Sequence, residues 1–572
     1  MRLLKLRASY QTLLFLVSVI LLVISLTGCS LNSAPNDNTG NWTEKPMNSN
    51  KPDNSSSLNN SNVSGPAAVK LDTQPSSVYY EVFVRSFYDS DGDGIGDFNG
   101  LTEKLDYLND GNPETDSDLG VEGIWLMPIN PSPSYHGYDV TDYRSINPDY
   151  GTMEDFKHFL DEAHKRGIKV IMDLVVNHTS TEHPWFIDSA SSNDSKYRNW
   201  YTWANSQNIK TSGTSAAGSG NPWHSLNGDS YLGIFWEGMP DLNFDNPEAR
   251  AEMKDIGRFW LEQGIDGFRL DAAKHIYEDL KTDKSQATTD KNVAWWQEFR
   301  QSLEQVKPDV YLVGEVWDPS AALISSYLNN ALDSGFNFSL SETLINMANK
   351  EKDSNLAFTL ARTYKLYDEK SDGKFIDATF LSNHDINRVM TQLDGNIDHA
   401  KMAASLLLTI PGNPFIYYGE EIGMLGAKPD ESIREPMQWS KGGSGTGQTT
   451  WEQTIFNTGE KGSSVEEQIS DADSLLSHYR KLIRLRTSIP ALKDGAIIES
   501  NIEAAGIAVY LRQTEQQVVL VVNNLTGDQQ TIDLTVNEAE YSFSKILGST
   551  TEGALLETGK LTIPGYTTLI LE

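Results

Sequence analysis

Two carboxylates and a guanidinium interrupt an otherwise apolar stretch, GIDGFRLDAAKH, from Gly264 to His275. Ile265, Phe268 and Leu270 read as a buried strand, and Asp266, Arg269 and Asp271 would be buried with them. Burying charge is costly unless the charges are paired, so one such stretch alone reads as a structural ion pair. Three further apolar runs carry polar groups at the same end, however. IKVIMDLVVNH holds Asp173, Asn177 and His178, VYLVGEVW holds Glu315, and IDATFLSNHD ends in His384 and Asp385. If the runs are neighbouring strands, the carboxyls of Asp271, Glu315 and Asp385 converge. Crowded carboxyls cannot all ionise at equal cost, so one should be pushed toward its protonated form while an arginine holds another ionised. Retaining glycoside hydrolysis needs that division: one carboxylate attacks the sugar while a protonated one, about 5–5.5 Å away, assists the leaving group. Asp271, next but one to Arg269, suits the nucleophile, and Glu315, flanked by Val316 and Trp317, suits the acid/base.

Something must hold these groups together. Apolar runs at Val78–Phe87, Glu122–Ile129, Ile168–His178, Ile265–Asp271, Val310–Trp317, Ser334–Phe338, Ile376–Asp385 and Asn413–Glu421 alternate with amphipathic stretches such as MEDFKHFLDEAHKRG. Near-continuous apolar strands separated by helices indicate a parallel sheet covered on both faces. Eight such units predict an α/β fold, a (β/α)8 TIM barrel, whose sites gather at the C-terminal ends of its strands. The stretch from Thr179 to about Gly238, rich in Trp and Tyr, interrupts the barrel after its third strand. After DSLLSHYRKLIRLR the pattern changes to period-two alternation, as in GIAVYLRQ and QQVVLVVNN, which predicts a C-terminal antiparallel β-sandwich domain.

Composition narrows the partners. With 46 basic against 79 acidic residues, a formal charge of −33, the chain is a poor fit for nucleic acid or an anionic membrane surface. At the N-terminus Arg2, Lys5 and Arg7 precede an apolar run from Leu13 to Ile24, the form of an export signal and short of the ~20 residues a spanning helix needs. Leu26-Thr27-Gly28-Cys29 follows and resembles the bacterial lipoprotein box, which implies lipidation at Cys29. Residues 1–28 then read as signal peptide and 29–75, rich in Ser, Asn and Pro, as a tether. Membrane contact would come only through that anchor, and the catalytic part would be extracellular. Cys29 is the single cysteine, so no disulfide forms within the chain. DSDGDGIGD places Asp89, Asp91, Asp93, the Ile95 carbonyl and Asp97 at positions 1, 3, 5, 7 and 9 of an EF-hand-like calcium loop, with Gly94 at the turn. Position 12 is Gly100 rather than Glu, a departure from the full motif.

Taken together, DLVVNH, GFRLDAAKH, GEVW and FLSNHD resemble the four signature regions of the α-amylase family of glycoside hydrolases, with MPDLN and GNPFIYYGEEIGM resembling two supplementary ones. The resemblance spans roughly Ser76 to the C-terminus. It implies a barrel over 76–178 and 241–488, an inserted domain at 179–240 and a C-terminal domain at 489–572. By position it makes Asp271 the nucleophile, Glu315 the acid/base and Asp385 the stabiliser of the transition state. Arg269, His178 and His384 would bind the sugar at the cut, and Tyr138 would stack on it. It further implies Ca2+, with a second site from Asn177, Asp241 and the His275 carbonyl. Lys274 and His275 resemble the pair carried by endo-acting α-1,4 amylases, which must hold glucose units beyond the cut. Asp139 and Arg434 resemble the elements by which exo-acting α-glucosidases and oligo-1,6-glucosidases grip a chain end. The expectation is a monomeric α-amylase on starch or maltooligosaccharides, with exo-action on short chains the alternative. A receptor that only binds sugar would not need all three carboxyls.

Overall fold

The computed structural model describes residues 76–215, 217, 220–277, 285–459, 464–534 and 541–572. The chain divides into units at Met1–Gly65 and Pro66–Glu572, and the described residues belong to the second. Cys29 and the expected signal and tether lie outside them. Among the described residues no helix is long and apolar enough to cross a membrane.

Eight strands follow the expected order: β1 Tyr79–Val82, β2 Gly123–Leu126, β3 Lys169–Leu174, β4 Gly267–Leu270, β5 Tyr311–Gly314, β6 Ser334–Gly335, β7 Ala378–Phe380 and β8 Asn413–Tyr417. All pairings are parallel, in the order β6-β5-β4-β3-β2-β1-β8-β7. A parallel bridge between Phe336 and Ala378 joins the two ends, closing the sheet into a barrel. β6, the weakest of the apolar runs, is only two residues long.

Alternation along each strand builds the site. Outward residues such as Tyr80, Ile124, Val170, Phe268 and Leu312 are buried in the main core that includes the helices. Inward residues Tyr79, Trp125, Ile171, Tyr311, Phe336 and Phe415 form a separate core that fills the barrel. Tyr79 stacks between Tyr311 and Phe415, with ring centroids at 5.5 and 4.8 Å. Two residues further along β1 and β3, on the same inward face, come Glu81 and Asp173. The apolar plug therefore carries a polar layer directly above it, toward the strand C-termini.

The helices are bounded by ordinary caps. Met153–Lys165 opens with a Thr152/Asp155 capping box and buries Phe156, Phe159, Leu160 and Ala163. Pro247–Gln263 is capped by Asn246 and stops at Gly264, whose φ of 112° suits a glycine at the turn toward β4. Asp266 answers part of the question raised by its neighbours. It lies just before β4, accepts from the Val170 amide at 2.8 Å and pairs with His164 and Lys307, so its role is structural.

Between β3 and β4 the insertion carries an antiparallel hairpin, Trp223–Leu226 with Asp229–Leu232. Most of its aromatics form the small core expected of them: Trp200, Tyr201, Trp203 and Trp223 are buried. The C-terminal region pairs a five-stranded with a three-stranded antiparallel sheet. Leu511, Leu520, Val522 and Leu569 from the first share a core with Ile532, Leu561 and Ile563 from the second, the sandwich that the period-two pattern predicts.

Candidate active site

Arg269 is the hub of the polar layer and is 1 % exposed. Its Nη1 donates to both Asp173 oxygens at 2.9 and 3.1 Å and to Asp271 Oδ1 at 2.6 Å. Its Nη2 meets Glu315 Oε2 at 2.9 Å. One guanidinium thus holds a carboxyl from β3 and the carboxyls just past β4 and β5. The Ala272 amide also donates to Glu315 Oε2, at 3.0 Å. Ala272 adopts φ 47°, a conformation that costs a non-glycine residue energy and is retained where surrounding structure imposes it.

A second hub is His384. Its Nδ1 lies 2.5 Å from Glu81 Oε1, and its Nε2 lies 2.6 Å from the Tyr138 hydroxyl and 3.1 Å from Asp385 Oδ2. Arg434 Nη2 donates to the other Asp385 oxygen at 3.1 Å, while its Nε donates to the His384 carbonyl. The Tyr138 hydroxyl donates to Asp173, so the two hubs form one network.

Burial raises the Asp271 and Glu315 carboxyls above the ordinary carboxylate range, Arg269 notwithstanding. The division expected from the sequence is therefore corrected. Arg269 does pull Asp271 down, but burial of the carboxyl outweighs it. The carboxyl held well down is Asp385: burial opposes its ionisation, but His384 and Arg434 outweigh it. Burial alone would strip His384 of its proton, yet Asp385 and Glu81 push it up to about 9. His178, buried without a carboxylate partner, is lowered to about 4 and is neutral. Its Nε2 sits 3.2 Å from the Tyr138 carbonyl.

Above the two hubs opens a cavity of about 620 Å³. Asp271, Glu315 and Asp385 all reach its wall, with Tyr138, His178, Lys274, His275 and Arg434. Residues 81–495 match the family described as the α-amylase catalytic domain. The chain belongs to the α-amylase family of glycoside hydrolases. Residues 507–570 match the α-amylase SusG C-terminal domain. The hydrolase is 44% identical over 496 residues to Alpha-amylase 3 of Dictyoglomus thermophilum, an alignment covering 87% of this chain and 93% of that protein. It is 33% identical over 518 residues to an oligo-1,6-glucosidase of Parageobacillus thermoglucosidasius, covering 79% and 90%. The crystal structure of α-amylase from H. orenii is similar with a TM-score of 0.80 and 47% identity, covering 87% of this chain and 100% of that one.

Not every residue expected in this α-amylase-family site reaches the cavity. Asp139 is buried behind it: its Oδ1 accepts from the Ser132 hydroxyl at 2.5 Å and from that of Ser134, and it is not among the lining residues. Its carboxylate is consumed by its own loop. Tyr138 stacks on His384, with centroids 5.6 Å apart at 18°, so one face of its ring is already covered. Lys274 lines the cavity, but its Nζ donates to the Trp317 carbonyl at 2.8 Å and lies 3.6 Å from Asp318. It therefore also secures the loop past β5.

Several residues in or beneath the site could not be assigned a place in it from the sequence. Glu81, beneath His384, is legible only as a lone carboxylate in the apolar run YYEVF. Phe235 and Trp236 of the insertion face the cavity and remain exposed, as does Trp317 past β5. Exposed aromatics amid such a buried set are what mark them, and exposure is a property of the fold.

Two metal sites are expected from the sequence. The ligand oxygens of Asp89, Asp91 and Asp97 lie within 4.8 Å of one another, a hard oxygen set suited to a divalent cation such as calcium. Asp93, expected in that set, stands outside it, its Oδ1 accepting from the Ile95 amide at 2.8 Å. The loop is anchored by backbone bonds from Thr450 and Trp451 to the Gly94 carbonyl. At the second expected site, Asn177 Nδ2 donates directly to Asp241 Oδ1 at 3.1 Å, and the chain bridges there between His178 and Asp241.

Proposed function

We propose that this enzyme hydrolyses internal α-1,4-glucosidic bonds of starch and maltodextrins with retention of anomeric configuration. The observation that carries the reading is the single Arg269 guanidinium that holds Asp271 and Glu315 side by side at the floor of an open cavity. Such a clamp fits the short carboxyl spacing of a double displacement better than a gap that must admit water.

In this reading Arg269 occupies Asp271 Oδ1, and Oδ2 attacks the anomeric carbon. The bond to the leaving oxygen breaks as that oxygen takes the Glu315 proton. Oε2 of Glu315 is held by Arg269 and Ala272, so Oε1 is the oxygen that carries it. Glu315, now ionised, then takes a proton from water as the water's oxygen displaces Asp271, which releases the sugar. Asp385, kept ionised by His384 and Arg434, binds sugar hydroxyls and favours the positively charged transition state. Tyr138, His178 and Arg269 shape the site around the cut.

Endo-action is supported by Lys274 and His275 on the wall and by the withdrawal of Asp139, one of the two residues expected to grip a chain end. Ca2+ in the Asp89, Asp91 and Asp97 loop would stabilise the fold, and the Leu26–Cys29 box would anchor the enzyme outside the cell. The deciding experiment is a time course of product sizes from soluble starch and from a maltooligosaccharide blocked at its non-reducing end. Rapid viscosity loss and cleavage of the blocked substrate are expected. Glucose as the sole product, with the blocked substrate intact, would make the enzyme an exo-acting α-glucosidase.

A further inference from the structure

Arg434 holds one oxygen of Asp385, yet its side chain is long and rotatable, so its surroundings must fix where the guanidinium lies. The backbone that carries it is secured at three consecutive carbonyls. Ile433 accepts from Arg388 Nε at 2.9 Å, Arg434 from the Ser86 hydroxyl at 2.6 Å and Glu435 from the Tyr418 hydroxyl at 2.9 Å. The Glu435 side chain, fully buried, adds a fourth tie. Its Oε1 accepts from the amides of Ile455 and Phe456 at 2.7 and 2.9 Å. Its Oε2 accepts from the amide of Asn457 at 3.2 Å and from the side chain of that residue at 2.7 Å. Asn457 in turn exchanges two hydrogen bonds of 2.8 Å with the backbone of Leu425.

A carboxylate suits this place and an amide does not. It presents two acceptor oxygens to the four N–H groups, whereas a glutamine of the same shape would turn one of them into a donor facing other donors. Glu435 therefore latches residues 455–457 beside Arg434. The near end of that loop is tied as well, through the amides of Thr450 and Trp451 on the Gly94 carbonyl. From there Trp451 backs two supports of Arg434. Its indole N–H donates to the Ser86 hydroxyl at 2.9 Å, the same hydroxyl that bonds the Arg434 carbonyl. Its ring stacks on Tyr135 with centroids 5.2 Å apart at 23°, and the Arg434 guanidinium lies 5.9 Å from the Tyr135 ring centre.

We infer that Glu435 is a positioning residue for the reaction: by latching the loop from Trp451 to Asn457, it fixes Arg434 and, through Arg434, the Asp385 carboxylate. The inference rests on the glycoside-hydrolysis reading above, in which Asp385 favours the transition state, and deepens it. Glu435 is not among the residues lining the cavity, so its effect on the sugar passes through the guanidinium. Loosening the latch should then weaken the chemical step more than ground-state binding.

The test uses Glu435→Gln, which keeps the shape and loses an acceptor, and Asn457→Ala, which keeps the carboxylate and removes one donor. Each is measured on maltoheptaose, alone and combined with Arg434→Met. Expected is a fall in kcat of about tenfold in Glu435→Gln and a smaller one in Asn457→Ala, with KM within about twofold of the parent. In the Arg434→Met background neither change should lower kcat further, because the group through which they act is gone. A lower Tm with kcat unchanged would overturn the inference and leave Glu435 a structural anchor, as would equal losses of kcat with and without Arg434. Should Glu435→Gln fail to fold, Asn457→Ala carries the same comparison. A parent that hydrolyses no maltoheptaose would instead remove the glucanase reading, and the inference with it.

Discussion

Glu81 and His384 lie 2.5 Å apart, one on β1 and the other four residues past β7, at the base of the candidate site. Neither Glu81 nor the Nδ1 it engages faces the cavity, so Glu81 acts on the reaction only through the imidazole. The groups that face His384 are Glu81 from β1, Tyr138 from the loop after β2, Asp173 from β3, Asp271 past β4 and Asp385 beside it. Asp385 and Glu81 are the groups that raise it.

Glu81→Gln keeps the hydrogen bond and removes one of those charges. His384 is charged up to about 9 in the native protein, against about 6.5 unfolded. Its contribution to stability is therefore fully present below pH ~6.5 and is lost as pH rises through about 9. In the variant the folded value falls toward the unfolded one. The alkaline limb of kcat/KM should move to lower pH, with activity near pH 6 retained. A variant whose limb stays in place would show that His384 charge does not matter to turnover.

Asp271→Asn and Glu315→Gln should each fold normally and separate on the leaving group. Glu315→Gln should lose roughly 10²–10⁴-fold on starch, yet recover much of the glycosylation step on an aryl maltoside, whose phenolate needs no proton. Asp271→Asn should recover nothing on either. Recovery in Asp271→Asn, or none in Glu315→Gln, would reverse or remove the assigned roles.

The barrel was legible because each strand is a short apolar run with its polar residues at one end, and this regularity located Asp271, Glu315 and Asp385 without any structure. The run Ser334–Phe338 is the one that yields least strand, β6 pairing through only Ser334 and Gly335. What escaped the sequence was whatever depends on which side of a loop faces water. Asp139 stands next to Tyr138 in a motif, yet Ser132 and Ser134 draw its carboxylate inward. Trp236 and Trp317 are two of many tryptophans until the fold leaves them exposed. The direction of the Asp271 shift escaped the sequence for a related reason: spacing revealed Arg269 beside it, but not how deeply the fold buries the carboxyl, nor that Asp173 and Glu315 compete for the same guanidinium.

That competition makes Arg269 a centre of the fold as well as of the candidate site. Arg269→Met leaves three buried carboxyls facing one another and should destabilise the protein by about 3–5 kcal/mol at neutral pH. Because the orphaned carboxyls are relieved by protonation, the deficit should shrink as pH falls. Thermal denaturation at pH 7 and pH 5 checks this, and a deficit that grows on acidification would contradict it. Arg269→Lys keeps the charge but cannot span Asp271 and Glu315 together, so it should be more stable than Arg269→Met and still nearly inactive.

The acidic loop gives a prediction independent of catalysis. If Asp89, Asp91 and Asp97 hold Ca2+, ligand binding to the folded state alone raises stability, by about 2.7 kcal/mol at a hundredfold excess over Kd. Chelation should lower Tm of the parent. In Asp89→Asn, Tm should be lower from the start and insensitive to chelator. Asp93→Asn, outside the cluster, should respond as the parent does. Equal responses in all three would place the effect elsewhere.

Gly238 tests the contribution of the insertion to the cavity. A Cβ at this position would collide with the Trp236 ring, so only glycine lets the indole lie where it lines the site. Trp236 is 47 % exposed and has room to swing outward. Gly238→Ala should therefore leave Tm nearly unchanged while displacing an aromatic wall of the cavity. The expected result is a several-fold rise in KM for maltooligosaccharides with kcat largely kept, matched by Trp236→Ala and not additive with it. A large loss of stability in Gly238→Ala, or additive effects of the two substitutions, would mean that the glycine serves the backbone rather than the ring.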